Sequence, residues 1–274
     1  MIHCALVPLD GSTTAEEVLP FVEELYGILG CEVRLLRVVS ARLAELDPEA
    51  EARAERYLTE VQKRLRANGT EKVEVEVRRG EAHTAIVQEA ERMRADLIAL
   101  TTHGEGGPDA RYLGATMDKV VRLTDRHVLV VRAGAAQPDR PPLLERVLVP
   151  VDGGEGSARL LSQLRDVLDS YTPRLHLLHV FEDDGPGAAE REQQALERMK
   201  AIAADAEGMD LRVETSVAAG AVAPAIVERA EASKASLIVM ATRARAQPSR
   251  WVLGSVTERA LAVARTPVLV LQSR

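Results

Sequence analysis

Two short stretches of this 274-residue chain carry residue types suited to holding a charged small molecule. The first, Pro8-Leu9-Asp10-Gly11, follows an apolar run and sets a carboxylate beside a glycine. The second, Thr101-Thr102-His103-Gly104-Glu105-Gly106-Gly107, leads to Gly114-Ala115-Thr116 at the start of a helical pattern. Glycines let backbone N–H groups come close to an anion, and a helix N-terminus offers N–H donors with no partner inside the helix. Both stretches recur later, as Pro150-Val151-Asp152-Gly153 and as Ala241-Thr242-Arg243-Ala244-Arg245 leading to Gly254-Ser255-Val256. Arg243 and Arg245, with Arg250 beyond them, add guanidinium groups suited to phosphate. A plainer reading stands beside this one: Asp10 and Asp152 sit where an aspartate caps the following helix.

Other chemistry finds little footing. There is no H-E-x-x-H, no G-x-S-x-G, no full Walker A motif and no spaced cluster of metal ligands. His103 has no Ser or Cys nucleophile with a defined partner, so no acid–base pair is assigned and the chain is not expected to be an enzyme. Cys4 reads as a small apolar strand residue and Cys31 as a turn residue, neither with a redox signature.

The elements that must position these residues show in a long internal repeat. Leu6–Gly11 matches Leu148–Gly153 and Arg34–Val38 matches His176–Val180, both at an offset of 142 residues. From Gly80 and Gly220 onward the offset is 140, through Asp96–Leu100 with Ser236–Met240 and Val128–Val131 with Val268–Leu271. Two copies of one domain follow: residues 1–133 and 144–274, with a Pro-rich linker over 134–143. In each copy short β-branched runs alternate with helical stretches. Strands are expected over Ala5–Leu9, Val33–Val39, Val73–Val77, Leu97–Thr101 and Val128–Val131, and helices over Ala15–Leu29, Pro48–Ala67, His83–Arg94 and Gly114–Leu123. Continuous apolar strands suit a parallel sheet covered on both faces, so the class is α/β. Ligands in such sheets bind at the strand carboxyl ends near a topological switch point.

Composition narrows the partners. Lys plus Arg number 35 against 42 Asp plus Glu, a net charge of −7, which argues against non-specific binding to nucleic acid or anionic membrane. No apolar run reaches the roughly 18 residues of a membrane span. The N-terminus lacks the pattern of a signal peptide, and a cytoplasmic location is expected.

Taken together, the Pro-x-Asp-Gly turns, the Ala-Asp-Leu-Ile-Ala-Leu strand before Thr-His-Gly, the Leu-Gly helix starts and the Val-Leu-Val-Val ends resemble a tandem universal stress protein. The resemblance covers nearly all of both copies. It implies two Rossmann-like domains of the adenine nucleotide alpha hydrolase-like type, each a five-stranded sheet of order 3-2-1-4-5. It also implies that the two last strands, both apolar edges, pair within one chain as a pseudo-dimer, with a further homodimer open. The nucleotide-binding branch of the family has a Gly-x2-Gly-x9-Gly-(Ser/Thr) loop. That pattern falls on Thr101, Gly104, Gly114 and Ala115 in copy one, with Thr116 next, and on Ala241, Ala244, Gly254 and Ser255 in copy two; neither copy is intact. The implied nucleotide-binding residues are Pro8, Leu9, Asp10, Val38, Leu100, Thr101, Gly104, Gly114, Ala115 and Thr116. In copy two they are Pro150, Val151, Asp152, Val180, Met240, Ala241, Arg243, Ala244, Gly254, Ser255 and Val256. The implied ligand is ATP or another adenine nucleotide, with Mg as its companion, and the implied role is stress-response regulation through a protein partner without strong catalysis. Slow ATP hydrolysis stays open. The rival expectation is a nucleotide-independent dimerisation or interaction module of the same fold.

Overall fold

The structure, a computed structural model, describes residues 1–103, 114–135, 140–168, 171–181, 187–209, 211–242 and 253–272. The first half runs β1 (Cys4–Pro8), α1 (Thr13–Glu16), α2 (Leu19–Leu29), β2 (Glu32–Val39), α3 (Ala41–Leu46), α4 (Ala50–Ala67), β3 (Val73–Arg79), α5 (Ala82–Arg92), β4 (Leu97–Thr101), α6 (Ala115–Leu123) and β5 (His127–Val131). The second half repeats it as β6 (Arg146–Pro150), α7 (Glu155–Leu168), β7 (Arg174–Phe181), α8 (Ala188–Glu207), β8 (Val213–Ala219), α9 (Val222–Ala232), β9 (Leu237–Ala241), α10 (Ser255–Val263) and β10 (Val268–Leu271).

Each half is a five-stranded parallel sheet with the expected 3-2-1-4-5 order, and the halves join in one ten-stranded sheet, β3-β2-β1-β4-β5-β10-β9-β6-β7-β8. The join is antiparallel and symmetric: Leu129 faces Leu269, with Val128 opposite Val270 and Val130 opposite Val268. One face of the sheet packs on α2, α4, α7 and α8. The other packs on α5, α6, α9 and α10. Among the described residues, no helix is long and apolar enough to cross a membrane.

Local chemistry explains most of the boundaries. The helix expected over Ala15–Leu29 is broken into α1 and α2, because Pro20 has no N–H and its ring collides with the carbonyl four residues back. Ser12, not Asp10, caps α1: its side chain accepts the Ala15 N–H at 3.1 Å. The helix α3, capped by Ser40, was not expected; it is only six residues long and buries no side chain. Asn68 caps the C-terminus of α4, Gly69 follows with φ of +99°, and Thr70 N–H closes back onto the Leu65 carbonyl at 2.9 Å. Cys31 is 1% exposed, packed in the core rather than standing in an open turn, and burial pushes both cysteine thiols up to about 11. Gly187 is the N-cap of α8, and residues 182–186 before it lie outside the described residues. Linker residues 136–139 also fall outside them.

Side chains beyond the last strands reinforce the join. Arg132, after β5, donates from Nη1 to the Ala262 carbonyl of α10 at 2.7 Å. Gln272, at the equivalent place after β10, donates from Nε2 to the Val121 carbonyl of α6 at 3.3 Å. Its backbone N–H donates to His127 Nδ1, and its Oε1 accepts the Thr242 hydroxyl at 2.8 Å. Gln272 is fully buried, so its polar atoms have no water to fall back on. Gln272→Ala should lower unfolding stability by about 2 kcal/mol, the scale of buried polar groups losing their partners. Urea unfolding of both chains measures it, and equal midpoints would count against this cross-link.

Candidate functional site

The site forms where the sheet parts. β1 pairs with β2 over five residues but with β4 over only two, Ala5 with Leu97 and Leu6 with Ile98. Beyond Leu6 the two neighbours β1 and β4 diverge at their carboxyl ends, while Leu9 N–H still bonds the Leu36 carbonyl at 2.8 Å on the β2 side. Domain 2 does the same: β6 pairs with β9 only at Val147–Leu237 and Leu148–Ile238. The crossover connections of each domain leave in opposite directions here, so the crevice is a consequence of topology.

The crevice in domain 1 is a cavity of about 350 Å³. Pro8, Leu9, Asp10, Val38, Leu100, Thr101, Gly114, Ala115 and Thr116 all line it, while Gly104 lies outside the described residues. In domain 2 a cavity of about 690 Å³ is lined by Pro150, Val151, Asp152, Val180, Met240, Ala241, Gly254, Ser255 and Val256. Arg243 and Ala244 lie outside the described residues, as do Arg245 and Arg250. The strand-end and helix-start residues singled out from sequence are thus brought together in both copies.

Asp10 shapes the turn after β1. Its Oδ1 accepts the Ser12 N–H at 2.9 Å and the Ser12 hydroxyl at 2.6 Å. Asp152 does likewise with the Gly154 N–H and the Ser157 hydroxyl, both at 3.0 Å. Between carboxylate and helix stand Gly11 and Gly153, with φ of +89° and +80°, a backbone that side chains rarely adopt.

The loop after β4 is pinned at its two described ends. Gly114 N–H donates to the Thr102 carbonyl at 2.9 Å. Thr101 donates its hydroxyl to the His103 carbonyl, and His103 Nδ1 lies 3.0 Å from Thr102 Oγ1. A Cβ on Gly114 would stand 2.5 Å from the Thr102 carbonyl oxygen, closer than any side chain tolerates. At Gly254 no atom of a described residue stands within 4 Å of that position. Among the described residues, the motif substitutions are cheaper for the backbone than a lost glycine suggests. Thr101 and Ala241 are extended strand residues and Ala115 opens α6, and none has positive φ.

Sequence reasoning passed over several lining residues. Arg37 donates to the Leu9 carbonyl at 3.4 Å, and its repeat equivalent His179 donates from Nδ1 to the Val151 carbonyl at 2.9 Å. They stand beside Val38 and Val180 near the ends of β2 and β7. Ile86 and Ile226, on α5 and α9, complete the apolar walls. Among the described residues, no group of three or more His, Cys, Asp or Glu is placed to hold a metal ion.

The wall helix α5 is anchored by Glu89. Its side chain is 4% exposed and accepts from Arg78 Nε at 2.9 Å and from Arg92 Nε at 3.0 Å. Burial works against the ionised form, but the hydrogen bonds and charges of Arg92 and Arg78 outweigh it and hold the carboxyl below its ordinary range.

Against this geometry the comparisons with known proteins fall in place. The sequence model of the Universal stress protein family matches residues 1–132 and again residues 144–272. The chain belongs to the universal stress protein family. A universal stress protein of Methanocaldococcus jannaschii is 29% identical over 145 residues, 47% of this chain and 83% of that protein. One from Thermus aquaticus is 27% identical over 137 residues, 47% of this chain and all of that protein. Among solved structures, a universal stress protein from Archaeoglobus fulgidus superposes with a TM-score of 0.76 at 23% identity, covering 98% of both chains. A putative one from Pseudomonas aeruginosa gives 0.72 at 20% identity, covering 99% of this chain and 93% of that one. The structural likeness extends the family's tandem fold over both domains of this universal stress protein.

Two outcomes are expected. Gly114→Ala should destabilise the protein by at least about 1 kcal/mol, because a backbone carbonyl must move, while Gly254→Ala should be neutral or mildly stabilising; thermal unfolding of the pair compares them, and equal shifts would contradict the asymmetry. Glu89→Gln should cost about 1 kcal/mol at pH 7. Since the folded carboxyl titrates below its ordinary 4.5, the wild-type advantage is full above that pH and shrinks as pH falls through the folded value. Denaturant midpoints from pH 7 to 3 follow it, and a gap that widens on acidification would refute the assignment.

Proposed function

We propose that this universal stress protein binds ATP or a related adenine nucleotide in one or both domains and acts as a regulator in the cytoplasmic stress response, without strong catalysis. The observation that carries the reading is the duplicated crevice. Each copy sets an apolar wall, a carboxylate and an open helix N-terminus around one cavity at a switch point.

The residues fit such a ligand part by part. Val38, Leu36, Ile86 and Leu100 offer a purine ring an apolar slot, with Val180, Leu178, Ile226 and Met240 opposite numbers in domain 2. Asp10 and Asp152 suit sugar hydroxyls, since an ionised carboxylate accepts hydrogen bonds and repels phosphate. Phosphates suit the first N–H groups of α6 and α10, joined by the hydroxyls of Thr116 and Ser255. A magnesium ion would then come with the phosphates. Both cavities have the volume of small-molecule sites, roughly 300–1,000 Å³. Nucleotide occupancy would change the surface around the ends of β4 and β9, the surface a protein partner reads.

The rival, an interaction module that needs no nucleotide, draws support from Ala115, which puts a methyl where the family's loop pattern has a hydroxyl. Nucleotide released from denatured protein, counted per chain, and calorimetric titration of emptied protein with ATP decide between the two. The expectation is one or two equivalents per chain, with Asp10→Ala and Asp152→Ala each weakening its own site about tenfold. No released nucleotide and no heat at millimolar ATP would leave the interaction module.

A further inference from the structure

Among the described residues, the two crevices differ along the first helical segment of each domain. In domain 1 residues after β5 engage that face: Glu17 accepts the Gly134 N–H, and Arg140 stacks 3.8 Å above the Phe21 ring and pairs with Glu24. Cavity 1 reaches this segment only at Ala15.

In domain 2 the repeat equivalents of Glu17 and Phe21 are Arg159 and Gln163, one turn apart on α7, and both line cavity 2. Gln163 Nε2 donates to the Gln272 carbonyl at 3.4 Å, so this wall runs from the end of β6 to the end of β10. The larger volume, about 690 Å³ against 350 Å³, follows that extension. The charge at this position is also reversed. Arg159 is exposed and makes no ion pair with a described residue. Asp152, on the same rim, is engaged by the Gly154 N–H and the Ser157 hydroxyl, and Asp166, further along α7, pairs with Arg165 at 3.5 Å. Domain 1 has a cation in its cavity too, but Arg37 comes from β2, across β1 from the loop, and is turned onto the Leu9 carbonyl.

We propose that domain 2 holds a polyphosphate subsite along α7, with Arg159 as its charge partner and Gln163 as a hydrogen-bond donor. Cavity 2 then prefers nucleoside di- and triphosphates, and cavity 1 takes a smaller, less charged ligand. The subsite deepens the nucleotide reading, yet its chemistry rests on Arg159 and can be probed without a nucleoside. Calorimetric titration of the full chain with ATP, AMP and inorganic tripolyphosphate, for wild type, Arg159→Ala and Arg159→Glu, tests it. Loss of one charge-assisted contact should weaken ATP and tripolyphosphate at one site by tenfold or more, and Arg159→Glu further, with AMP unchanged. If both variants bind ATP and tripolyphosphate as wild type does, the subsite is wrong and the nucleotide reading survives. If no nucleotide binds but tripolyphosphate does so through Arg159, the subsite stands and the nucleotide reading falls. If none of the three binds, both fall.

Discussion

The last strand of each domain is apolar on both faces, and such an edge left open invites pairing. Here β5 and β10 satisfy each other. Their three central pairs are repeat equivalents, with Leu129 opposite Leu269 on the axis of a pseudo-twofold. That symmetry brings α6 beside α10, where Arg122 of one pairs with Glu258 of the other at 2.9 Å. It also carries Arg132 and Gln272 across to the partner domain's helix carbonyls. Both crevices open at strand carboxyl ends, and the helices that shape them, α6 and α10, are the ones held at the join. Each site is built within one domain but is braced by the other.

The brace is not symmetric. Arg132 and Gln272 occupy equivalent places, yet only Gln272 also accepts the hydroxyl of Thr242, a residue lining cavity 2. The floor of the second crevice is therefore tied through one buried amide to Val121 and His127 of the first domain. The first crevice is pinned locally, by Gly114 against Thr102. Once a fold is duplicated within one chain, each copy keeps what the sheet demands and is free elsewhere. The Asp turns, the left-handed Gly11 and Gly153 and the short two-pair ladders are kept. The Arg37–His179 and Glu17–Arg159 positions are not.

Much of this was legible in the sequence because the signals were local and came twice. Repeat offsets fixed the domain count, continuous apolar runs located the strands, and turn residues at strand ends marked the crevices. The break at Pro20 was legible too, since the missing N–H acts within one turn, but the apolar periodicity of Ala15–Leu29 runs straight through it. Arg37, Arg159 and Gln163 were not legible as lining residues. Nothing in their own neighbourhoods reports the divergence of β1 from β4, or the return of the segment after β5 over Phe21. Those are long-range facts, set by which strand lies beside which.

The same distinction explains why motif damage is a poor guide to site damage here. A lost glycine matters when its backbone is left-handed or when a neighbour stands where Cβ would be. Neither condition holds at Thr101, Ala115 or Ala241, which are regular strand or helix positions. The steric condition does hold at Gly114, which the chain retains. These three departures from the loop pattern thus cost a hydroxyl or a little space rather than a conformation, and in domain 2 the cavity extends along α7 to Arg159 and Gln163. A site can lose the letters of its motif and keep its shape when the shape is set by how the strands part.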